Sequence, residues 1–246
     1  MAEPAVSFAI NPISLANMLT NAIEISKEGA NIEGVDAILL AYQPAPDGLR
    51  GMVIVYGCGR YAAGRSTAYT EGLPSTEPAS VSIARDYAAE LSSQLRKTSR
   101  AADTRVGVAI HQQAVEGIHP ETGSPTWGNL IVAYGDKQLG HLHDADVHGR
   151  YDQIWQRVDD LASSDGDVVI GVTLQVGVLS RLPKLKGVGE IADIRTTPLP
   201  GVIAAKLGAD YVALLGEVNK QSFLAGGRWG TGPGSPEQLW PATTSN

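Results

Sequence analysis

The sequence predicts an α+β fold built from a repeated unit: a strand, a break, a helix, and then a return to strands. Three observations predict it. The unit occurs three times, each helix carries a stripe of leucine and isoleucine, and each helix is followed by the apolar–polar alternation of a half-buried strand. Neighbouring units of this kind must bury one another's apolar faces, so the repeat constrains the fold more than any single motif does.

The first unit opens with Val6, Phe8 and Ile10, breaks at Asn11-Pro12, and continues as a helix carrying Ile13, Leu15, Leu19 and Ile23. The chain then alternates through 37–42 and forms a strand over 50–56, with weaker alternation over 60–69. Residues 73–78, with two prolines, read as a linker. The second unit has Val81 and Ile83, a break at Arg85-Asp86, and then Tyr87, Leu91 and Leu95 on a helix. Strands follow over 106–110, near 129–134 and over 138–143, with a Gly/Pro-rich hairpin loop at 116–127. A polar stretch over 147–166, with a short helix at 151–161, reads as a connector. The third unit has Val168 to Val172, a helix through Leu174, Val178, Leu179 and Leu182, and a strand over 211–215. The expected organisation is therefore 1–146 as two complete units, 147–166 as connector, 167–218 as a third unit and 219–246 as a Gly/Pro-rich tail.

The 246 residues are 43% hydrophobic, enough for a substantial core. A net charge of −7 and an isoelectric point near 5.2 argue against a surface that coats nucleic acid all over, and leave room for a local basic stripe. The lone Cys58 excludes an intramolecular disulfide framework and suits a reducing compartment. No apolar run approaches the ~20 residues of a membrane span, and the N-terminus lacks the basic and apolar regions of a signal peptide. The expectation is a cytoplasmic protein without a membrane partner.

With the units laid out, the chain resembles the bacterial-type DNA sliding clamp, the processivity ring of replicative polymerases, over roughly 5–218. Tyr56-Gly-Cys-Gly-Arg60-Tyr61-Ala62 stands where clamps carry an Asp-Gly-His-Arg-Leu-Ala segment between two strands. Ser80 to Arg85 followed by Glu90-Leu91 is similar to the strand and helix that open the second half of a clamp domain, and 142–154 stands in place of the clamp connector. Residues 170–182 and 198–216 are similar to a last half-domain and its closing strand. Glycines 57 and 59 replace the motif's Asp and His, and the connector lacks its proline. The resemblance implies βαβββ units with their helices on one face of curved antiparallel sheets. A bacterial clamp chain has six such halves and a ring about twelve. Three per chain therefore imply a tetramer, or a trimer if the region after Asp146 folds as a reduced full domain. A shortened clamp of this kind suits a phage or mobile element.

The resemblance also implies roles. Clamp helices line a central hole and meet phosphates without reading bases. The corresponding cations here are Lys27 on the first helix, Arg85, Arg96, Lys97 and Arg100 on or beside the second, and Arg181, Lys184 and Lys186 on or beside the third. An ordinary solvated face, with cations gathered at helix C-termini by the dipole, explains the 96–100 and 184–186 groups separately. A partner-peptide groove would use Arg60, Tyr61, Leu199, Val212 and Leu214; the plainer alternative makes these core residues. In the tail, Gln238, Leu239 and Trp240 loosely fit a clamp-binding peptide for a groove of the same ring or of a host clamp. The alternative packs Trp229 and Trp240 onto the nearest surface.

Two rival signals are weaker. Gly57, Gly59 and Gly64 follow a strand as in a dinucleotide-binding turn, but 65–72 is too short and β-prone for the helix that would hold pyrophosphate. Tight-turn glycines explain them better. His141 and His143 fall on one face of a strand, with His148 nearby, in a pattern workable for a metal. No matching ligand cluster accompanies them, so no metal or other cofactor is assigned, and no Ser/His/Asp set or activated cysteine points to catalysis. The sequence therefore reads as a non-enzymatic processivity factor. It would close as a homo-oligomeric ring on duplex DNA and tether a DNA polymerase, with a clamp loader as further partner. The alternatives are a non-ring clamp relative that modulates a host clamp or polymerase and, behind it, a metal-dependent or nucleotide-binding enzyme.

Overall fold

The computed structural model describes residues 6–27, 37–45, 49–59, 62–71, 75–98, 105–111, 115–118, 125–134, 137–144, 156, 158–163, 166, 180–189, 192–199 and 201–216. In order, these form β1 (Val6–Ile10), α1 (Pro12–Ser26), β2 (Ala37–Pro44), β3 (Gly51–Cys58), β4 (Ala62–Tyr69), β5 (Ala79–Ala84) and α2 (Arg85–Thr98). There follow β6 (Val106–His111), β7 (Val115–Ile118), β8 (Pro125–Tyr134), β9 (Lys137–Asp144), a 3-10 turn at Leu182–Lys184, β10 (Ala192–Thr196), β11 (Val202–Leu207) and β12 (Tyr211–Gly216).

Local chemistry sets the boundaries of α1. Asn11 holds an extended backbone and its side chain accepts from the amides of Ile13 (2.9 Å) and Ser14 (3.2 Å), while Pro12 occupies the first turn, where its missing N–H costs nothing. In β1, Val6, Phe8 and Ile10 are buried and Ser7 is exposed, as the alternation requires. Two expectations are corrected. The helix α2 begins directly at Arg85, so no break separates it from β5, and the segment expected as a hairpin loop at 116–127 contains β7 and the start of β8. Of the third unit, the strand 168–172 and most of the helix 174–182 lie outside the described residues.

Among the described residues all strand pairs are antiparallel, and the first two units exchange strands. The strand that opens the first unit, β1, pairs with β6 of the second, with Phe8 opposite Val108. The strand that opens the second, β5, pairs with β2 of the first, with Ile38 opposite Ile83. In each unit the chain then meanders, through β2–β3–β4 and through β6–β8–β9, with β7 continuing the line of β6 along β8 after an irregularity. The second sheet does not stop at β4: β12 pairs with it, Ala213 opposite Gly64, and carries β11 and β10 outward to give the order β10-β11-β12-β4-β3-β2-β5.

Period-two alternation divides this sheet into two apolar faces. Ile38, Leu40, Val53 and Val55 point to the helices and join Leu15, Leu19, Leu91 and Leu95 in one core with β1 and β6. Leu39, Ile54, Tyr56, Cys58, Val212 and Leu214 point the other way and are covered by Val158 and Leu161 of the helical residues 158–162. Burial on both faces is why β2 and β3 read as near-continuous apolar runs. Ile25 joins the helix-side surface of β11 and β12 with Leu185.

Glycines let α1 approach the sheet. A Cβ on Gly57 would lie 2.2 Å from the Ala22 carbonyl oxygen, and one on Gly59 would lie 2.8 Å from that of Ile25. Neither has a positive φ, so the expectation of tight-turn glycines is replaced by close helix–strand packing.

Candidate nucleic-acid interface

The helix layer is assembled around α1. On one side, α2 meets it through Ser92, whose hydroxyl donates to the Ala16 carbonyl at 2.9 Å and lies 2.9 Å from Thr20 Oγ1. On the other, Asn21 fixes the segment 180–189, accepting from the Lys186 amide at 2.7 Å and donating to its carbonyl at 3.0 Å. Both partners of Asn21 are satisfied, which is what permits an amide only 2% exposed. The three elements therefore lie side by side.

The sequence of this layer is basic. Residues 12–27, 85–98 and 180–189 hold seven Lys or Arg (Lys27, Arg85, Arg96, Lys97, Arg181, Lys184 and Lys186) and three acids (Glu24, Asp86 and Glu90), in a chain whose net charge is −7. Five of the cations are exposed: Lys27, Arg96, Lys97, Lys184 and Lys186. Lys27 is bridged to Glu24 at 2.5 Å. Arg96 lies across the α1–α2 seam and donates to Thr20 Oγ1 at 3.0 Å, so its guanidinium is held at the surface of the layer.

Two of the expected phosphate-facing cations are used otherwise. Arg181 is 4% exposed and donates to the Ile25 carbonyl at 3.2 Å, and Arg85 donates to the Ser26 carbonyl at 2.9 Å. The last carbonyls of a helix have no intrahelical donor and sit at the negative end of its dipole. The two guanidiniums fill that need. Lys184 belongs to a 3-10 turn beginning at Leu182-Pro183, not to an α-helix, and Lys186 follows it. Arg100 lies outside the described residues.

On the opposite face, the expected groove residues separate. Leu214 is 0% exposed and Val212 7%, both beneath Val158 and Leu161, whereas Leu199 is half-buried at the margin. The covering segment is anchored by Asp159, which accepts from the Tyr56 hydroxyl at 2.5 Å and from Arg65 Nη1 at 2.6 Å. Burial pushes the Tyr56 phenol well above its usual range, with the Asp159 carboxylate adding to the effect. Sequence reasoning missed this anchor. Its only signal was an acid in a polar connector, and nothing local ties that acid to a tyrosine 103 residues away. Arg60, Tyr61, Gln238, Leu239, Trp240 and His148 lie outside the described residues. His141 and His143 belong to β9. Among the described residues no group of three or more His, Cys, Asp or Glu is placed to hold a metal. Cys58 is fully buried and its thiol is pushed well up by burial, which disfavours the nucleophilic thiolate.

No protein-family model matches the sequence, and no curated protein does. Solved structures do. The chain is similar to the C. crescentus beta sliding clamp (TM-score 0.55, 10% identity, 87% of this chain against 65% of that one). It is equally similar to the beta subunit of DNA polymerase from Streptococcus pyogenes (0.54, 11%, 87% and 65%). The DNA polymerase sliding clamp of Pseudomonas aeruginosa gives 0.57 at 11% identity over 89% of this chain and 67% of that one. The chain thus spans about two-thirds of the length of the clamps it matches. With its exchanged strands, paired helices and continuous outer sheet, it has the fold of the bacterial beta sliding clamps.

Proposed function

We propose that this protein is a non-enzymatic, cytoplasmic processivity factor, a homo-oligomeric ring that encircles duplex DNA and tethers a DNA polymerase after placement by a clamp loader. The observation that carries the reading is the basic helix layer: exposed Arg96, Lys97, Lys184 and Lys186 on adjoining elements of a net-acidic chain with a clamp fold. Such a layer attracts phosphates of any sequence, and contacts of that kind are weak enough singly to permit sliding. The polymerase and loader would dock on the opposite face around Leu199, with Arg60 and Tyr61 bordering it, while Val212 and Leu214 lie in the core beneath Val158 and Leu161. Gln238, Leu239 and Trp240 are proposed as a peptide for such a groove, in this ring or in a host clamp. The test is charge reversal at Arg96, Lys97 and Lys184 together. Retention on DNA should be lost with the circular dichroism spectrum unchanged; unaltered retention would refute the assignment.

A further inference from the structure

The outer face of the second sheet is covered by a helical piece too short to be stable by itself. Leu39, Ile54, Cys58, Val212 and Leu214 form an apolar surface across β2, β3 and β12. The helical residues 158–162 lie on it through Val158 and Leu161, which are 1% and 6% exposed, while Asp160 and Ser163 face solvent. An isolated helix of fewer than ~12 residues is marginal in water, so this one is held by what lies beneath it. The sheet does not depend on it in return. Its strands pair with one another, Ala213 opposite Gly64 and Val55 opposite Ser66, and its other face packs on Leu15, Leu19 and Ile25 of α1. The polar hold on the short helix is Asp159, which accepts from the Tyr56 hydroxyl of β3 and from Arg65 Nη1 of β4. The Asp159 side chain is 37% exposed and that of Arg65 20%, so water reaches the ion pair and weakens it.

We propose that residues 158–162 are a displaceable strap, an internal competitor for the outer face of β3, β4 and β12 that a partner segment of the same chemistry replaces. That chemistry is read from the present occupant: a short amphipathic helix with two apolar side chains three residues apart and a carboxylate beside the first. The apolar pair takes the places of Val158 and Leu161, and the carboxylate takes that of Asp159 between Tyr56 and Arg65. Lifting the strap removes an acceptor from the Tyr56 hydroxyl and a counter-charge from Arg65, both beside bare apolar surface, so an occupant without an acid is disfavoured. Because the strap belongs to the chain, its effective concentration is on the order of mM, which keeps the resting face closed. A partner then binds with an affinity reduced by the fraction of chains that are open. The inference rests on the reading that partners dock on this face and is independent of DNA encirclement.

Two measurements on the full chain test it. In hydrogen exchange, the Ser163 amide, which donates to the Asp159 carbonyl at 2.9 Å, should exchange at least about tenfold faster than the Leu214 amide of β12. Equal protection means that strap and sheet open only together, and overturns the inference. In the second, a labelled peptide of residues 151–166 is titrated against the unmodified chain and against Asp159→Asn. The substitution loosens the strap while the peptide keeps its own acid, so the variant should bind the peptide at least about tenfold more tightly. A peptide carrying Leu161→Asp should bind neither chain. Equal affinity for the two chains, or binding of the Leu161→Asp peptide, overturns the inference. If Asp159→Asn does not fold, the exchange measurement on the unmodified chain decides. Displacement of the strap without retention on DNA would refute encirclement and leave this inference standing; retention on DNA with a strap as protected as β12 would do the reverse.

Discussion

Arg181 reaches across 156 residues of chain to donate to the carbonyl of Ile25, and this buried contact fastens the segment 180–189 to the end of α1. A guanidinium held at 4% exposure without such an acceptor would be strongly disfavoured.

Removing it should therefore cost stability while leaving charge-driven DNA binding in place. Arg181→Met is expected to destabilise the fold by about 1–3 kcal/mol, because the Ile25 carbonyl loses a charged donor. Urea denaturation measures this. A midpoint equal to that of the unmodified chain, together with weaker DNA retention, would restore Arg181 to the phosphate-facing set.

Gly57→Ala tests the close approach of α1. The new Cβ would meet the backbone of Ala22 at 2.2 Å, which α1 can relieve only by moving away from β3. A loss of about 1–3 kcal/mol is expected, as for overpacking elsewhere. A turn glycine without a helix above it would tolerate alanine.

The two buried tyrosines set an alkaline limit. Burial raises the phenols of Tyr56 and Tyr211 above the usual value of 10.0. An unfolded chain then ionises near 10 while the folded one stays neutral, so the unfolded state binds fewer protons and stability falls as pH rises beyond that point. The slope above pH 10 should approach about 1.4 kcal/mol per pH unit for each tyrosine, with no contribution from either at neutral pH. Among the described residues the Tyr211 hydroxyl has no hydrogen-bond partner, so Tyr211→Phe should be neutral or mildly stabilising at pH 7 and should reduce the alkaline slope. Thermal denaturation from pH 7 to 11 checks both.

Leu214 and Leu199 should respond differently. Leu214→Ala, at a site with 0% exposure, is expected to cost about 2–5 kcal/mol. Leu199→Ala, at the margin, should spare the fold and weaken capture of a clamp-binding peptide. Equal destabilisation by the two would make Leu199 core as well.

The fold was legible where one residue dictates its neighbours. Val6, Phe8 and Ile10 alternate because one side of β1 is buried, and Leu15, Leu19, Leu91 and Leu95 recur at helical spacing because α1 and α2 share a core. What local pattern does not encode is the partner. Nothing near Phe8 says that it lies opposite Val108, or that Ile38 lies opposite Ile83. The candidate site divides along the same line. Lys97 and Lys184 are exposed cations because few local constraints act on them, whereas Arg85 and Arg181 looked identical in sequence and were diverted by acceptors at the distant end of α1. Gly57 and Gly59 signalled a requirement for no side chain, but not whether a turn or a helix imposed it.

Encirclement is the central claim, and topology separates it from ordinary binding. The protein is loaded on nicked circular DNA, passed through a sizing column at moderate salt, and the DNA is then linearised with a restriction enzyme. A ring held by closure should co-elute with the circle and be lost on linearisation, since phosphate contacts alone are too salt-sensitive to hold it. Equal retention on circular and linear DNA, or none on either with a loader present, would contradict the account.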